Sequence, residues 1–196
     1  NLEFIPAVEL LCKHANMQMP TTEDSEELHR RKQERDRIFS VLKASTEFYY
    51  NNLINNPNSL QAQYLKSRGI SEEMIKKFSI GASLDYDTLP KYLKALGFNE
   101  KEMVLSGVVG KDESGRLYDF YGTRLLFPIA NGFGDVVAYS GRSVDNNPQR
   151  AKYKNTPQTQ VFNKSEILFA YNFVRELKKE HLLDTIIIVE GHIDVI

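Results

Sequence analysis

The run from Thr185 to Val189 constrains the fold more than any other stretch of the chain. It reads T-I-I-I-V and ends abruptly in Glu190-Gly191. An unbroken β-branched run of this length predicts a strand buried on both faces, which requires a sheet with elements packed on either side. The first polar side chain after it is a carboxylate, and ligands of open α/β sheets sit at the carboxyl ends of strands. Gly191 lets backbone or ligand come close, and Asp194 follows four residues after Glu190. Taken alone, E-G-x-x-D suits a catalytic acid and a helix-capping acid alike. Any site that Glu190 opens is expected to be completed by chain beyond residue 196.

The texture upstream is divided. Residues 3–17 predict an amphipathic helix with Cys12 on its core side, broken at Met19-Pro20-Thr21-Thr22. Asp24 to Asn55 predicts one long helix. Its charged first half is a solvated face, with Arg30-Arg31-Lys32 as a secondary nucleic-acid candidate. Its second half carries Ile38, Val41, Leu42, Phe48, Tyr49 and Leu53 at helical period. Short helices follow. One over residues 59–67 is closed by Gly69, and one is capped by Ser71 with Ile70 and Ile75 as a hydrophobic staple. The next runs from Asp87 to Leu96 with Asp87 as N-cap, so the D-x-D of Asp85-Tyr86-Asp87 is a capping feature before it is a metal site. Asn99 and Glu102 predict a capping box.

From Val108 the pattern turns to strands and tight turns. Asp112 to Gly115 is a turn. Strands over residues 123–130 and 135–141 flank the hairpin signal Asn131-Gly132-Phe133-Gly134. Asp145 to Gln158 predicts a flexible polar loop, and Ser165 to Glu180 a helix. Helices first and an antiparallel sheet afterwards predict an α+β fold. Three parts follow: a helical segment over 1–57, a mixed subdomain over 58–180, and the first helix and strand of a separate α/β unit over 181–196.

Net charge is −1, yet from Arg116 to Lys164 seven cations stand against three anions. A local basic surface matters more than the total for binding phosphates. Lys152-Tyr153-Lys154 interleaves cations with an aromatic, which suits a single strand: cations track phosphates and a tyrosine stacks on a base. With one cysteine, Cys12, no disulfide framework or C-x-x-C zinc pair is possible, and a reducing cytoplasm is expected. No apolar run approaches a membrane span.

Several ordered segments resemble the bacterial DNA primases of the DnaG type. Residues 64–71 (Y-L-K-S-R-G-I-S) resemble the Y-L-x-x-R-G-(I/L) helix of that family, and residues 124–129 (R-L-L-F-P-I) its R-(I/V)-(M/L)-F-P-I strand. Gly141-Arg142 resembles the end of its G-G-R turn, with Ser140 in place of the first glycine. Residues 152–157 (K-Y-K-N-T-P) resemble K-Y-x-N-(S/T)-P, Phe162 to Lys164 resembles F-x-K, and Leu168 to Ala170 resembles L-(Y/F)-(G/A). Residues 189–195 (V-E-G-H-I-D-V) are similar to the opening motif of the TOPRIM fold, E-G-Y-M-D-V, with His192-Ile193 replacing Tyr-Met. The opening residues, 2–9, are similar to the segment after the family's zinc ribbon.

The resemblance implies an enzyme that makes short RNA primers on single-stranded DNA from ribonucleoside triphosphates, using Mg²⁺ or Mn²⁺ held by TOPRIM acids. It makes Glu190 the catalytic acid and a partial metal ligand, with Asp194 in support. It makes Arg68, Arg124, Arg142, Lys152, Tyr153, Lys154, Asn155 and Lys164 a ridge for template and nucleotide. Zinc belongs to the family's ribbon and the replicative helicase to its C-terminal domain, neither carried by these residues. No tightly bound cofactor is expected, and these residues alone are expected to be inactive. The other readings of the motifs are a weak single-strand-binding module and another TOPRIM enzyme, of topoisomerase or nuclease type.

Overall fold

The computed structural model describes residues 4–15, 17, 22–145 and 147–196, with side chains described from residue 7 and, in the second helix, from residue 25. The predicted break at residues 19–22 lies outside the described residues except for Thr22. The chain divides into two units, Asn1–Asp36 and Arg37–Ile196. The first holds helix α1 (Phe4–His14) and the opening residues of helix α2 (Thr22–Asn55). Residues 26–33 of α2 are exposed, and Arg31 pairs with Glu27 one turn away. Cys12 is half-buried and Leu11 exposed, so α1 does not carry Cys12 into a core as its periodicity predicts. Among the described residues no helix is long and apolar enough to cross a membrane.

In the second unit the periodic half of α2 is the spine. Ile38, Val41, Leu42, Tyr49 and Leu53 are all buried. Their spacing places them on one face, where they meet Leu89, Leu93, Met103, Leu126 and Tyr139 in one core cluster and Leu65, Ile80 and Phe127 in another. Helices α3 (Leu60–Ser67) and α4 (Glu72–Lys77) start at Ser59 and Ser71, whose hydroxyls accept from Ala62 N and Met74 N. Gly69 follows α3 with φ +72, as a left-handed C′ residue should. Helix α6 (Glu100–Leu105) has the expected Asn99–Glu102 capping box. Helix α5 (Thr88–Ala95) is capped differently from the prediction. Asp85, not Asp87, accepts from the N–H groups of Asp87 and Thr88 and from the Thr88 hydroxyl, while Asp87 pairs with Arg116. Asp85 lies two residues further from the helix, so its carboxylate can reach back over the open N–H groups.

The main sheet has the order β1-β4-β5-β6, with β1 Gly81–Ala82, β4 Leu125–Ala130, β5 Val136–Arg142 and β6 Tyr153–Asn155, all antiparallel. A separate hairpin joins β2 (Val109–Lys111) to β3 (Leu117–Asp119). The turn at Asn131–Gly134 joins β4 to β5 as predicted, its Asn131 side chain accepting from Phe133 N and Asp135 N. Strand β6 replaces part of the predicted polar loop. Three residues, Tyr153-Lys154-Asn155, are too few to carry a periodic signal, and the strand exists because β5 offers a free edge.

Two further differences concern the end of the chain. Helix α7 covers only Tyr171–Lys179, because Ala170 adopts φ +64 and Asn163 folds residues 163–166 into a turn. Residues 185–189 have no strand partner among the described residues, and Ile187 and Ile188 are about 85% exposed. The predicted doubly buried strand is therefore not formed here: a strand is defined by its neighbours, and none is present. A short helix α8 (His192–Val195) follows.

A buried polar network fills the centre of the second unit. Asp119 accepts from the Tyr49 and Ser83 hydroxyls and from Tyr121 N, and Tyr121 and Tyr139 bond Thr156 and Thr46. Burial pushes the Asp119 carboxyl up to about 6 despite those donors. A folded-state value above the ordinary 3.8 means that the native state binds the proton more tightly than the unfolded chain. The Asp119 contribution is thus fully present below about pH 4 and is lost as pH rises through about 6. It amounts to at most about 3 kcal/mol. Urea melts from pH 4 to 7 should show this fall in wild type and lose it in Asp119→Asn; identical pH profiles would contradict it.

Candidate nucleic-acid interface

Arg142 ends β5, and its cross-strand partner on β6 is Tyr153. The Arg142 guanidinium lies over two rings, 4.8 Å from the centroid of Tyr64 on α3 and 5.2 Å from that of Tyr153, and its Nη1 donates to the Tyr153 hydroxyl at 2.5 Å. Its Nε is buried without a hydrogen-bond partner. One helical turn after Tyr64, Arg68 donates from Nε to the Tyr64 hydroxyl at 3.1 Å and also lies over that ring. Two arginines and two tyrosines thus interleave at the sheet edge, each guanidinium within cation–π range of a ring.

The neighbouring sequence candidates separate into two groups. Lys152, Asn155 and Lys164 are exposed. The Lys152 backbone is pinned, its carbonyl accepting from Ser143 N at 2.9 Å, while the side chain faces water. Asn155 is held through its Oδ1 by the Ser140 hydroxyl at 2.7 Å, which gives the serine that replaces the family's glycine a task of its own. Arg124 and Lys154 point the other way. Arg124 is 4% exposed and donates to the carbonyls of Gly141, Ala151 and Lys152. It is an internal clamp on the loop that carries Lys152, not a surface cation. The Lys154 ammonium donates to the Phe120 carbonyl at 2.5 Å and sits 3.7 Å over the Phe120 ring. Burial first, and the nearby Arg124 charge second, hold its pKa below the ordinary lysine value.

The candidate acids lie at the start of α8. Glu190 and Asp194 are both exposed, and an Asp194 carboxylate oxygen lies where a Cβ on Gly191 would go, 2.5 Å from it. Among the described residues no three His, Cys, Asp or Glu side chains gather as a metal site. Two exposed carboxylates are fewer donors than Mg²⁺ demands, so these residues do not by themselves fit the metal pair implied by the resemblance. His192, between the two acids, is half-buried against Phe127, Tyr153 and Phe169, and burial lowers its pKa.

Tyr64 and His192 are the side chains that sequence reasoning left without a role. The signal for Tyr64 was present: at i and i+4 on one helix, Tyr64 and Arg68 must share a face. No such local signal existed for His192.

The charge pattern supports the same surface. Arg31, Arg37, Lys111, Arg116 and Arg150 are all neutralised by carboxylates. Arg68, Arg142, Lys152 and Lys164 form no ion pair with any described residue. Unneutralised cations beside half-buried rings are the groups a nucleic-acid backbone would find.

Comparison with known proteins identifies the family. The family model of the DNA primase catalytic core, N-terminal domain, matches residues 48–175. A DNA primase of Pseudomonas putida is 36% identical over 199 residues, covering 100% of this chain and 30% of that protein, so the chain spans about a third of the length of such relatives. The crystal structure of a DNA primase domain from Pseudomonas aeruginosa superposes with a TM-score of 0.69 at 33% identity, covering 81% of this chain and 49% of that one. A structure of the DnaG primase catalytic domain bound to single-stranded DNA gives a TM-score of 0.65 at 29% identity, covering 74% of this chain and 47% of that one. This chain belongs to the DNA primase family, through the N-terminal domain of its catalytic core.

Proposed function

We propose that these residues form the template- and nucleotide-holding wall of a primase, a nucleotidyltransferase that makes short RNA primers on single-stranded DNA from ribonucleoside triphosphates. The observation that carries this reading is Arg142, held over Tyr64 and Tyr153 and bonded to the Tyr153 hydroxyl, with no carboxylate to neutralise it. Phosphate attraction comes from Arg142, Arg68, Lys152 and Lys164. Asn155, fixed by Ser140, offers its amide N–H groups beside them. Tyr153 orients Arg142 through its hydroxyl and ring, a role added to the base stacking expected of it. Arg124 and Lys154 support the surface from within.

Glu190 and Asp194 supply acids for a metal site whose remaining donors are not among the described residues. In the complete enzyme Mg²⁺ or Mn²⁺ would neutralise the departing pyrophosphate. Helicase recruitment belongs to a domain that these residues do not include.

Fluorescence anisotropy with a labelled single-stranded oligonucleotide tests the reading. If about four phosphates are engaged, log K falls against log salt with a slope of roughly −3. Arg142→Ala with Lys152→Ala should weaken binding at least about tenfold at low salt and make the slope shallower by about 1.4. Salt-independent binding, or unchanged affinity in the double variant, would overturn it.

A further inference from the structure

The two ends of the Glu190 motif are anchored unequally. Before Glu190, residues 185–189 are exposed and without a strand partner among the described residues. After it, the His192 ring meets three rings, from two strands and from the turn before α7. Phe127 of β4 stacks on it at 5.7 Å, Phe169 meets it edge-on at 4.6 Å, and Tyr153 of β6 is tilted against it at 6.0 Å. Ile193 and Ile196 continue this contact into the cluster of Leu53, Leu65, Ile80 and Leu125. The position of Glu190 is therefore set from its C-terminal side.

The path from that anchor to the basic surface is short. Glu190 is two residues from His192, the His192 ring contacts Tyr153, and the Tyr153 hydroxyl accepts from Arg142. We propose that His192 is a positioning residue: its ring holds the Glu190 carboxylate in fixed relation to Arg142 and Tyr153. This rests on the reading of Glu190 as a primase acid and of Arg142 as a phosphate contact. Shape is what the role requires. A flat ring can stack on Phe127 and meet Phe169 edge-on at once, so another aromatic side chain fills the place and an aliphatic one does not.

The geometric arm of the test uses this chain. A nitroxide on Val189→Cys, in a Cys12→Ser background, reports by paramagnetic broadening of the Tyr153 and Lys154 amide signals. Broadening is expected with His192, retained in His192→Tyr and His192→Phe, and lost in His192→Ala while amides of β4 and β5 stay unchanged. Phe169→Leu, which leaves His192 in place but removes a ring partner, should weaken the broadening too. Undiminished broadening in His192→Ala would overturn the proposal.

The functional arm uses primer synthesis by an enzyme carrying these residues and the full metal site. His192→Ala should lower kcat at least about tenfold, as a misplaced catalytic group does, with KM for ribonucleotide unchanged and with His192→Tyr restoring the rate. A rise in KM alone, or no rescue by tyrosine, would overturn it. Oligonucleotide binding by Arg142→Ala with Lys152→Ala separately reports whether the nucleic-acid reading holds, so failure of the His192 role and failure of that reading are distinguishable.

Discussion

Gly81→Ala is expected to destabilise the fold by about 3 kcal/mol or more, the upper end of what overpacking costs. Strand β1 is two residues long and lies directly on helix α2. A Cβ at Gly81 would stand 2.6 Å from the backbone carbon and from the Cβ of Tyr49, and 2.9 Å from its carbonyl oxygen. These atoms cannot rotate away, so either the strand or the helix must shift. Tyr49 is fully buried and donates to Asp119, so movement of α2 also strains the central polar network. The measurement is urea unfolding, with a lower midpoint at unchanged m-value. For a unit of this size the melting temperature should fall by roughly 6–12 °C. A change within about 0.5 kcal/mol, typical of surface substitutions, would show that β1 does not sit as described.

Arg124→Leu is the second large effect, again about 3 kcal/mol. Leucine keeps apolar bulk but removes every donor. The carbonyls of Gly141, Ala151 and Lys152 lose the guanidinium, the Lys152 carbonyl keeping only its bond from Ser143 N, and a buried acceptor left without a partner costs about 1–3 kcal/mol. Comparison with Arg142→Ala separates two kinds of arginine. Arg124→Leu should lower the melting temperature strongly and weaken oligonucleotide binding only by releasing the 151–152 segment. Arg142→Ala, which loses two ring contacts and the Tyr153 hydroxyl bond, should lower the melting temperature less than Arg124→Leu and weaken binding directly. Equal melting temperatures for the two variants would contradict the internal-clamp assignment.

These two residues also show where the sequence was legible and where it was not. Arg124 belongs to an R-L-L-F-P-I segment that marks the family, yet nothing in those six letters says that the guanidinium turns inward. Lys154 is equally visible within K-Y-K-N-T-P and equally silent about Phe120. Gly81 has no φ above zero to advertise it; its need for hydrogen comes from a helix more than thirty residues earlier in the chain. Asp119, the buried acid of the central network, looked like one anion in a basic segment.

The sequence by itself determined what is local or periodic: the Ser71 and Asn99 caps, the Gly69 helix stop, the buried face of α2, the Asn131–Gly134 hairpin, the α+β class and the family. Caps and turns use atoms within four residues of one another, and a helix face follows from the 3.6-residue repeat. Tertiary structure alone decided which cations face water, that residues 153–155 form a strand, that residues 185–189 do not, and that His192 is held by three rings. Those outcomes depend on partners distant in sequence. A strand exists only where a neighbour offers free N–H and C=O groups, and a charged side chain turns inward only where buried carbonyls or a ring repay its lost hydration.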